Sequence, residues 1–200
     1  MRCAVYRTAT IVALALFLLA MLSCPGLAGE TASKAAKPAE PDVVYVPTPY
    51  DVVEKMLQMA AVTKKDVVYD LGCGDGRIVV MAAKKCGCQA TGFDIDPQRV
   101  RESRENVKKN KVEKLVKIRE EDVFKLDLRP ASVVTLYLLP KLNVRLIPQL
   151  EKLKPGTRIV SHDFDMEGVK PEKVVRITSN EDNEEHTIYL WTVPLKHQKD

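Results

Sequence analysis

Residues 66–76 read Asp-Val-Val-Tyr-Asp-Leu-Gly-Cys-Gly-Asp-Gly, a short apolar run that stops at three glycines spaced two apart. A run of that length and composition predicts a strand buried on both faces of a parallel sheet. Glycines at its carboxyl end predict a tight turn whose backbone adopts dihedrals closed to other residues. Strands and helices then alternate. Helical apolar spacing falls on 77–85, 97–110 and 141–153, and strands are expected over 90–94, 115–119, 132–138 and 157–162. Such alternation folds as parallel strands joined by right-handed crossovers. Near the end the pattern changes: residues 173–178 and 187–193 are strand-like and flank the acidic turn 179–185, which predicts an antiparallel hairpin. The expected class is α/β, a doubly wound, mostly parallel seven-stranded sheet with an antiparallel C-terminal hairpin.

Before the first strand, Thr48 is placed to cap a helix with Pro49 in its first turn and Asp51 near its positive end. Val52, Val53, Met56, Leu57, Met59 and Ala60 supply its apolar face. Pro148 is expected to kink or split the helix over 141–153, because it removes a backbone donor.

The N-terminus reads as an address. Arg2 and Arg7 precede an uncharged apolar run over 11–22, and Ser23, Gly26, Ala28 and Gly29 follow. That is the order of a secretory signal peptide, and the run is shorter than the ~20 residues that span a bilayer. Two exits compete: cleavage after Ala28, or a lipobox over 21–24 in which Cys24 carries lipid. An uncleaved short anchor is the third possibility. The expected organisation is a signal peptide over 1–28, a flexible Ala/Lys/Pro-rich linker over 29–44 and one domain over 45–200. With a functional signal the body is expected to be exported, periplasmic or secreted, and otherwise membrane-anchored; it is expected to meet a membrane only through the leader or a lipid anchor.

A formal net charge of +4 with 46% hydrophobic residues describes a globular domain without the basic face of a nucleic-acid binder, so no nucleic-acid partner is expected. Removing the leader leaves Cys73, Cys86 and Cys88, an odd set that is no disulfide framework. No His or Cys pair shows metal-ligand spacing, and no metal is expected.

The glycine spacing is G-x-G-x-G, because Arg77 follows Gly76, and not the G-x-G-x-x-G of dinucleotide binders. Asp70 and Asp75 bracket the turn and would repel a pyrophosphate, which disfavours a nicotinamide-dependent oxidoreductase. A ligand with a cationic part suits the site better. S-adenosyl-L-methionine carries a sulfonium and an ammonium and no phosphate. The amides of the loop at Gly72, Gly74 and Gly76 are expected to hold its carboxylate, with Asp70 near its ammonium. Asp94 ends the second strand about 20 residues on, the separation at which an acid accepts both hydroxyls of a ribose. Asp122, after the third strand, is expected to accept the adenine amino group, with Val123 or Phe124 flanking the ring.

The stretches Val67 to Arg77, Gly92-Phe93-Asp94-Ile95-Asp96-Pro97 and Leu153-Lys154-Pro155-Gly156 resemble the seven-stranded (class I) S-adenosylmethionine-dependent methyltransferases. The resemblance runs from about Tyr45 to the end. It implies a Rossmann-like sheet whose last strand is antiparallel, and a packing role for Cys73. More narrowly, Val46-Pro47-Thr48-Pro49, the segment Gly74 to Val79 and Leu138-Leu139-Pro140 are similar to the small lysine methyltransferases that act on the c-subunit of ATP synthase, and to their bacterial relatives. That likeness implies a protein lysine as methyl acceptor.

Methyl transfer is an in-line displacement, and much of the catalysis lies in holding the nucleophile ~3–3.5 Å from its target. No acid–base pair is demanded. A lysine with a free pKa of ~10.4 must nevertheless lose a proton first. Tyr137 is the first candidate to orient an amine, with a packing role in its strand equally open; His162, which with Asp163 ends the fifth strand, is a catalytic candidate for which a capping or ion-pair role is equally open. Tyr45, Thr48 and Tyr50 are candidates for a lid. Leu138-Leu139-Pro140 stands where enzymes that methylate amino groups of DNA bases carry Asp or Asn followed by Pro-Pro-aromatic. Two further readings stay open: a non-catalytic S-adenosylmethionine-binding domain, and a methyltransferase of small molecules.

Overall fold

The computed structural model describes residues 45–198. The expected signal peptide over 1–28 and linker over 29–44, with the competing exits at Ala28 and Cys24, lie outside the described residues. Among the described residues, seven strands form one sheet: β1 (Val67–Leu71), β2 (Gln89–Asp94), β3 (Val116–Glu120), β4 (Val133–Leu136), β5 (Arg158–His162), β6 (Lys173–Thr178) and β7 (Glu185–Thr192). Their order is β3-β2-β1-β4-β5-β7-β6. The first five are parallel, and β7 runs antiparallel between β5 and β6. The chain winds outward from β1 to β3 and then returns to β4, so the carboxyl ends of β1 and β4 mark the point where its direction reverses. In open α/β sheets a ligand crevice forms there.

Alternation along the strands divides the core into two layers. Val68, Val133, Val160 and Ile188 face α1 (Tyr50–Met59) and α2 (Arg77–Cys86), which contribute Val53, Met56, Val79 and Ala82. Leu71, Val134, Ile159 and Trp191 face the other way, toward Leu146 and Leu150 of α4 (Pro140–Leu150). The remaining helix, α3 (Pro97–Lys109), begins with Asp96 accepting from the Gln98 amide at 2.7 Å and Pro97 in its first turn, a strong start signal.

Two local expectations are corrected. α4 runs unbroken through Pro148. The proline lies in its last turn, where it forfeits only the bond to the Val144 carbonyl. Thr48 does not cap α1, whose cap position is Pro49 with no side-chain bond; the Thr48 hydroxyl turns instead to His162 Nδ1, 3.1 Å away. The start of α1 is tied down from outside. Asp51 accepts from Ser179 Oγ and the Asn180 amide, and Glu181 Oε1 accepts from the Tyr50 amide at 2.7 Å.

Candidate active site at the sheet switch point

A cavity of about 560 Å³ opens at the carboxyl ends of β1, β2 and β4, within the size range of small-molecule sites. One wall is Gly72, Cys73, Asp94, Ile95 and Asp96, continued by Asp122, Val123 and Phe124. The opposite end is apolar and aromatic: Tyr137, Leu138, Leu139, Leu142 and Phe164. Tyr45 to Thr48 form a strap along the side, beside Arg77 and Arg99. Four carboxylates (Asp75, Asp94, Asp96 and Asp122) face two guanidiniums, a balance that favours a ligand with positive charge.

The turn after β1 is built by glycine. Gly72, Gly74 and Gly76 have φ of +78°, +53° and +75°, a region that costs other residues steric strain. At Gly74 a side chain would also collide, since a Cβ there lies 2.2 Å from Tyr45 Cε2. In the structure the amides of Gly72, Gly74 and Gly76, expected to hold a ligand carboxylate, have partners within the protein. Gly72 and Cys73 both donate to the Phe93 carbonyl, Gly74 to Asp94, and Gly76 to the Cys73 carbonyl. With those donors spent inside the protein, the loop offers close approach and no cluster of free amides for a diphosphate. Cys73 is buried, and a Cβ on Gly92 would lie 2.8 Å from its sulfur. Burial, with Asp70 and Asp94 nearby, holds its thiol well above the usual range, so packing is its role.

Asp94 ends β2 with Oδ2 accepting from the Gly74 amide at 2.8 Å and Oδ1 from the Asp96 amide at 3.0 Å. Burial raises its pKa against these bonds. Each oxygen retains a lone pair, and the side chain lines the cavity. Asp122 accepts from the Phe124 amide at 3.0 Å and pairs with Lys125 at 3.1 Å. Its small burial opposes ionisation, but these partners hold its pKa below the ordinary value. Asp75, opposite the strap, is bound by Arg77 through Nε and Nη2, and Arg77 donates from Nη1 to the Thr48 carbonyl. Beside it, burial and the Asp75 charge push the Tyr45 phenol up to about 12.

Asp70 lies one layer behind the wall. Its Oδ1 accepts from Thr135 Oγ1 at 2.6 Å, while Oδ2 is buried without a partner. Burial, then the charges of Asp94 and Asp75, raise its pKa to about 7. An unmatched carboxylate beneath this loop fits a cofactor that carries an ammonium and a sulfonium. The acids around the cavity fit the same group, and the engaged amides do not fit a pyrophosphate.

At the apolar end, Tyr137 lines the cavity and its ring lies on the His162 imidazole with centroids 4.0 Å apart. His162 itself is fully buried, and among the described residues it is not part of the lining. As a catalytic candidate it is set back from the cavity, with the Tyr137 ring packed against it, and its contacts match the ion-pair role that the sequence leaves equally open. Burial lowers its pKa.

Of the residues expected from the sequence, Gly72, Asp94, Asp122, Val123 and Tyr137 therefore line the cavity, whereas Asp70, Gly74, Gly76 and His162 support it from behind. In the expected lid, Tyr45 and Thr48 line the cavity, but Tyr50 is outside it with the Arg77 guanidinium 4.9 Å from its ring. Sequence reasoning missed Arg99, Leu142 and Phe164. An aromatic two residues beyond the end of β5 was the available signal for Phe164. It also missed a cluster built by folding: His162, Asp163 and His186 bring three ligand-type atoms together, although 24 residues separate the two histidines.

A doubly wound sheet with an acid-lined cavity at its reversal point defines a nucleoside-binding α/β protein, and comparison with known proteins identifies its class. The ANTKMT methyltransferase domain family matches residues 70–173, and the chain belongs to that family. A protein-lysine N-methyltransferase of Saccharolobus islandicus is 46% identical over 155 residues, covering 76% of this chain and 95% of its own length. The Xenopus laevis lysine N-methyltransferase named for the c-subunit of ATP synthase is 30% identical over 135 residues, 65% of this chain and 57% of its own, so the chain spans little more than half of that relative. The crystal structure of an RNA methyltransferase from Salinibacter ruber, in complex with S-adenosyl-L-homocysteine, matches with a TM-score of 0.71 at 47% identity, over 78% of this chain and 98% of that one. The protein is an S-adenosylmethionine-dependent methyltransferase.

Proposed function

We propose that the methyl acceptor is the side-chain amine of a protein lysine. The observation that carries this reading is the apolar end of the cavity. Tyr137, Leu138, Leu139, Leu142 and Phe164 form it without a charged side chain. Such a surface suits an aliphatic arm, and it disfavours an ammonium ion, so an entering lysine is driven toward its neutral, nucleophilic form.

Bound S-adenosylmethionine supplies an activated methyl group; the chain's own residues supply binding and orientation. Asp94 is placed to accept the ribose hydroxyls, and Asp122 with Val123 and Phe124 to hold the adenine. Tyr137 stays a neutral phenol, because burial and the charges of Asp163 and Asp182 raise its pKa. A neutral phenol accepts a hydrogen bond from an amine N–H and turns the nitrogen lone pair, but it is no strong base. Proton loss therefore rests on desolvation at the apolar wall. The name of the Saccharolobus relative supports the same acceptor.

The test is transfer of a labelled methyl group by the full chain to fractionated protein and RNA. Label in protein that disappears when lysines are blocked beforehand supports the proposal, and Tyr137→Phe should lower kcat ~10²-fold while leaving cofactor affinity unchanged. Label in RNA, the acceptor class named for the Salinibacter protein, would overturn it.

A further inference from the structure

The geometry points to a binding site for a divalent transition-metal ion formed by His162 Nε2, His186 Nδ1 and Asp163 Oδ2, one ring behind the apolar end of the cavity. The three atoms form a triangle with edges of 2.9, 3.1 and 3.2 Å. Ligands at ~2.0–2.2 Å from one ion, spanning ordinary tetrahedral to octahedral angles, lie ~2.9–3.4 Å apart. The spacing of the three atoms is therefore that of ligands to one ion.

Hydrogen counting supports a cation at the triangle. His186 Nε2 faces the Asp182 carboxylate, with Oδ2 at 3.1 Å, and an ionised carboxylate only accepts. The His186 ring hydrogen therefore belongs on Nε2, and Nδ1 presents a lone pair. If His162 donates from Nδ1 to Thr48, all three inward atoms are lone pairs. If it carries its hydrogen on Nε2 instead, the pair His186 Nδ1 and Asp163 Oδ2 still meets lone pair to lone pair at 3.1 Å. With the His186 hydrogen held on Nε2 by Asp182, neither neutral tautomer of His162 satisfies the triangle.

The outer atoms are already arranged as supports of metal ligands. His162 Nδ1 has Thr48, His186 Nε2 has Asp182, and Asp163 Oδ1 accepts from the Thr187 amide at 2.8 Å. Ligating histidines almost always hold their second nitrogen in this way. Asp163 also adopts φ of +55°, a conformation few non-glycine residues take. That turn aims its carboxylate back across the β5–β7 pair. Two imidazoles and a carboxylate suit zinc, cobalt or iron better than magnesium or calcium.

Chelator-stripped, untagged full-length protein should take up one Zn²⁺ per chain in equilibrium dialysis at micromolar metal, and should melt at a higher temperature with Zn²⁺ than without. Co²⁺ should give the visible bands of a mixed nitrogen–oxygen site. Asp163→Ala and His186→Ala should lose both effects. Asp182→Asn, a change at a more exposed side chain that leaves the triangle intact, should weaken affinity 10–100-fold in a folded protein. Folded wild type that takes up no Zn²⁺, as expected if a proton fills the triangle, overturns the proposal. So does uptake that survives in both ligand variants.

Discussion

Asp94 Oδ2 accepts the Gly74 amide at 2.8 Å, which joins the acid at the end of β2 to the middle glycine of the turn after β1. One carboxylate thus shapes the loop and faces the cavity. Asp94→Ala should weaken S-adenosylmethionine binding by ~10²-fold or more, because bonds to a charged acceptor contribute ~1.5–3 kcal/mol each. Calorimetry on the folded variant reads this directly; an unchanged Kd would place the sugar elsewhere.

The neighbouring glycines should separate stability from binding. A Cβ on Gly76 lies 2.9 Å from Ser103 Cβ and 3.4 Å from its Cα, against the backbone of α3. With φ of +75°, Gly76→Ala should destabilise the fold by ~1–3 kcal/mol. Gly74→Ala meets the movable ring of Tyr45 instead. It should melt closer to wild type yet lose cofactor affinity, since the ring must leave the cavity wall. Melting curves and titrations on both variants check the contrast.

Asp70 makes stability pH-dependent. An unfolded aspartate titrates near ~3.9, whereas the buried group titrates at about 7. Between those values the folded chain binds more protons than the unfolded one, so stability falls as pH rises through the window and levels off above it. Asp70→Asn removes the effect. Its stability relative to wild type should improve from pH 4 to 7, by about 4 kcal/mol at most. Parallel denaturation midpoints across that range would rule out the assignment.

At the opposite ends of the strands, Arg158 donates to the carbonyls of Ala60 and Ala61 and pairs with the buried Asp66, which also accepts from Thr63 and Ser132. Burial opposes ionisation of Asp66, yet these partners lower its pKa. Its contribution is therefore present above the unfolded value and lost as pH falls. Arg158→Ala leaves a carboxylate short of its cation and should cost about 3 kcal/mol. Cofactor affinity should not change, because this cluster is remote from the cavity. Chemical denaturation and calorimetry give the two numbers.

What could be read without coordinates was whatever the ends of strands determine locally. Gly72 follows β1, Asp94 ends β2 and Asp122 lies just past β3, and a parallel sheet carries the ends of neighbouring strands to one edge. Arg99, Leu142 and Phe164 gave no such signal, since they reach the cavity only when helices and loops pack over that edge. Thr48 shows how a local rule loses to a distant partner: its hydroxyl bonds a histidine 114 residues away in preference to its own helix. Asp70 and His162 were found as residues, but that both are buried behind the cavity lining could not be read, because spacing along a chain says nothing about depth.

The strap from Tyr45 to Thr48 has a practical consequence. It is the first stretch of the described residues, and it doubles as one side of the ligand chamber. A protease that trims as far as Pro49 would spare every strand and helix among the described residues while uncovering that chamber, giving a well-folded enzyme with impaired grip on its methyl donor. Expression designs for this protein should therefore begin well ahead of Tyr45.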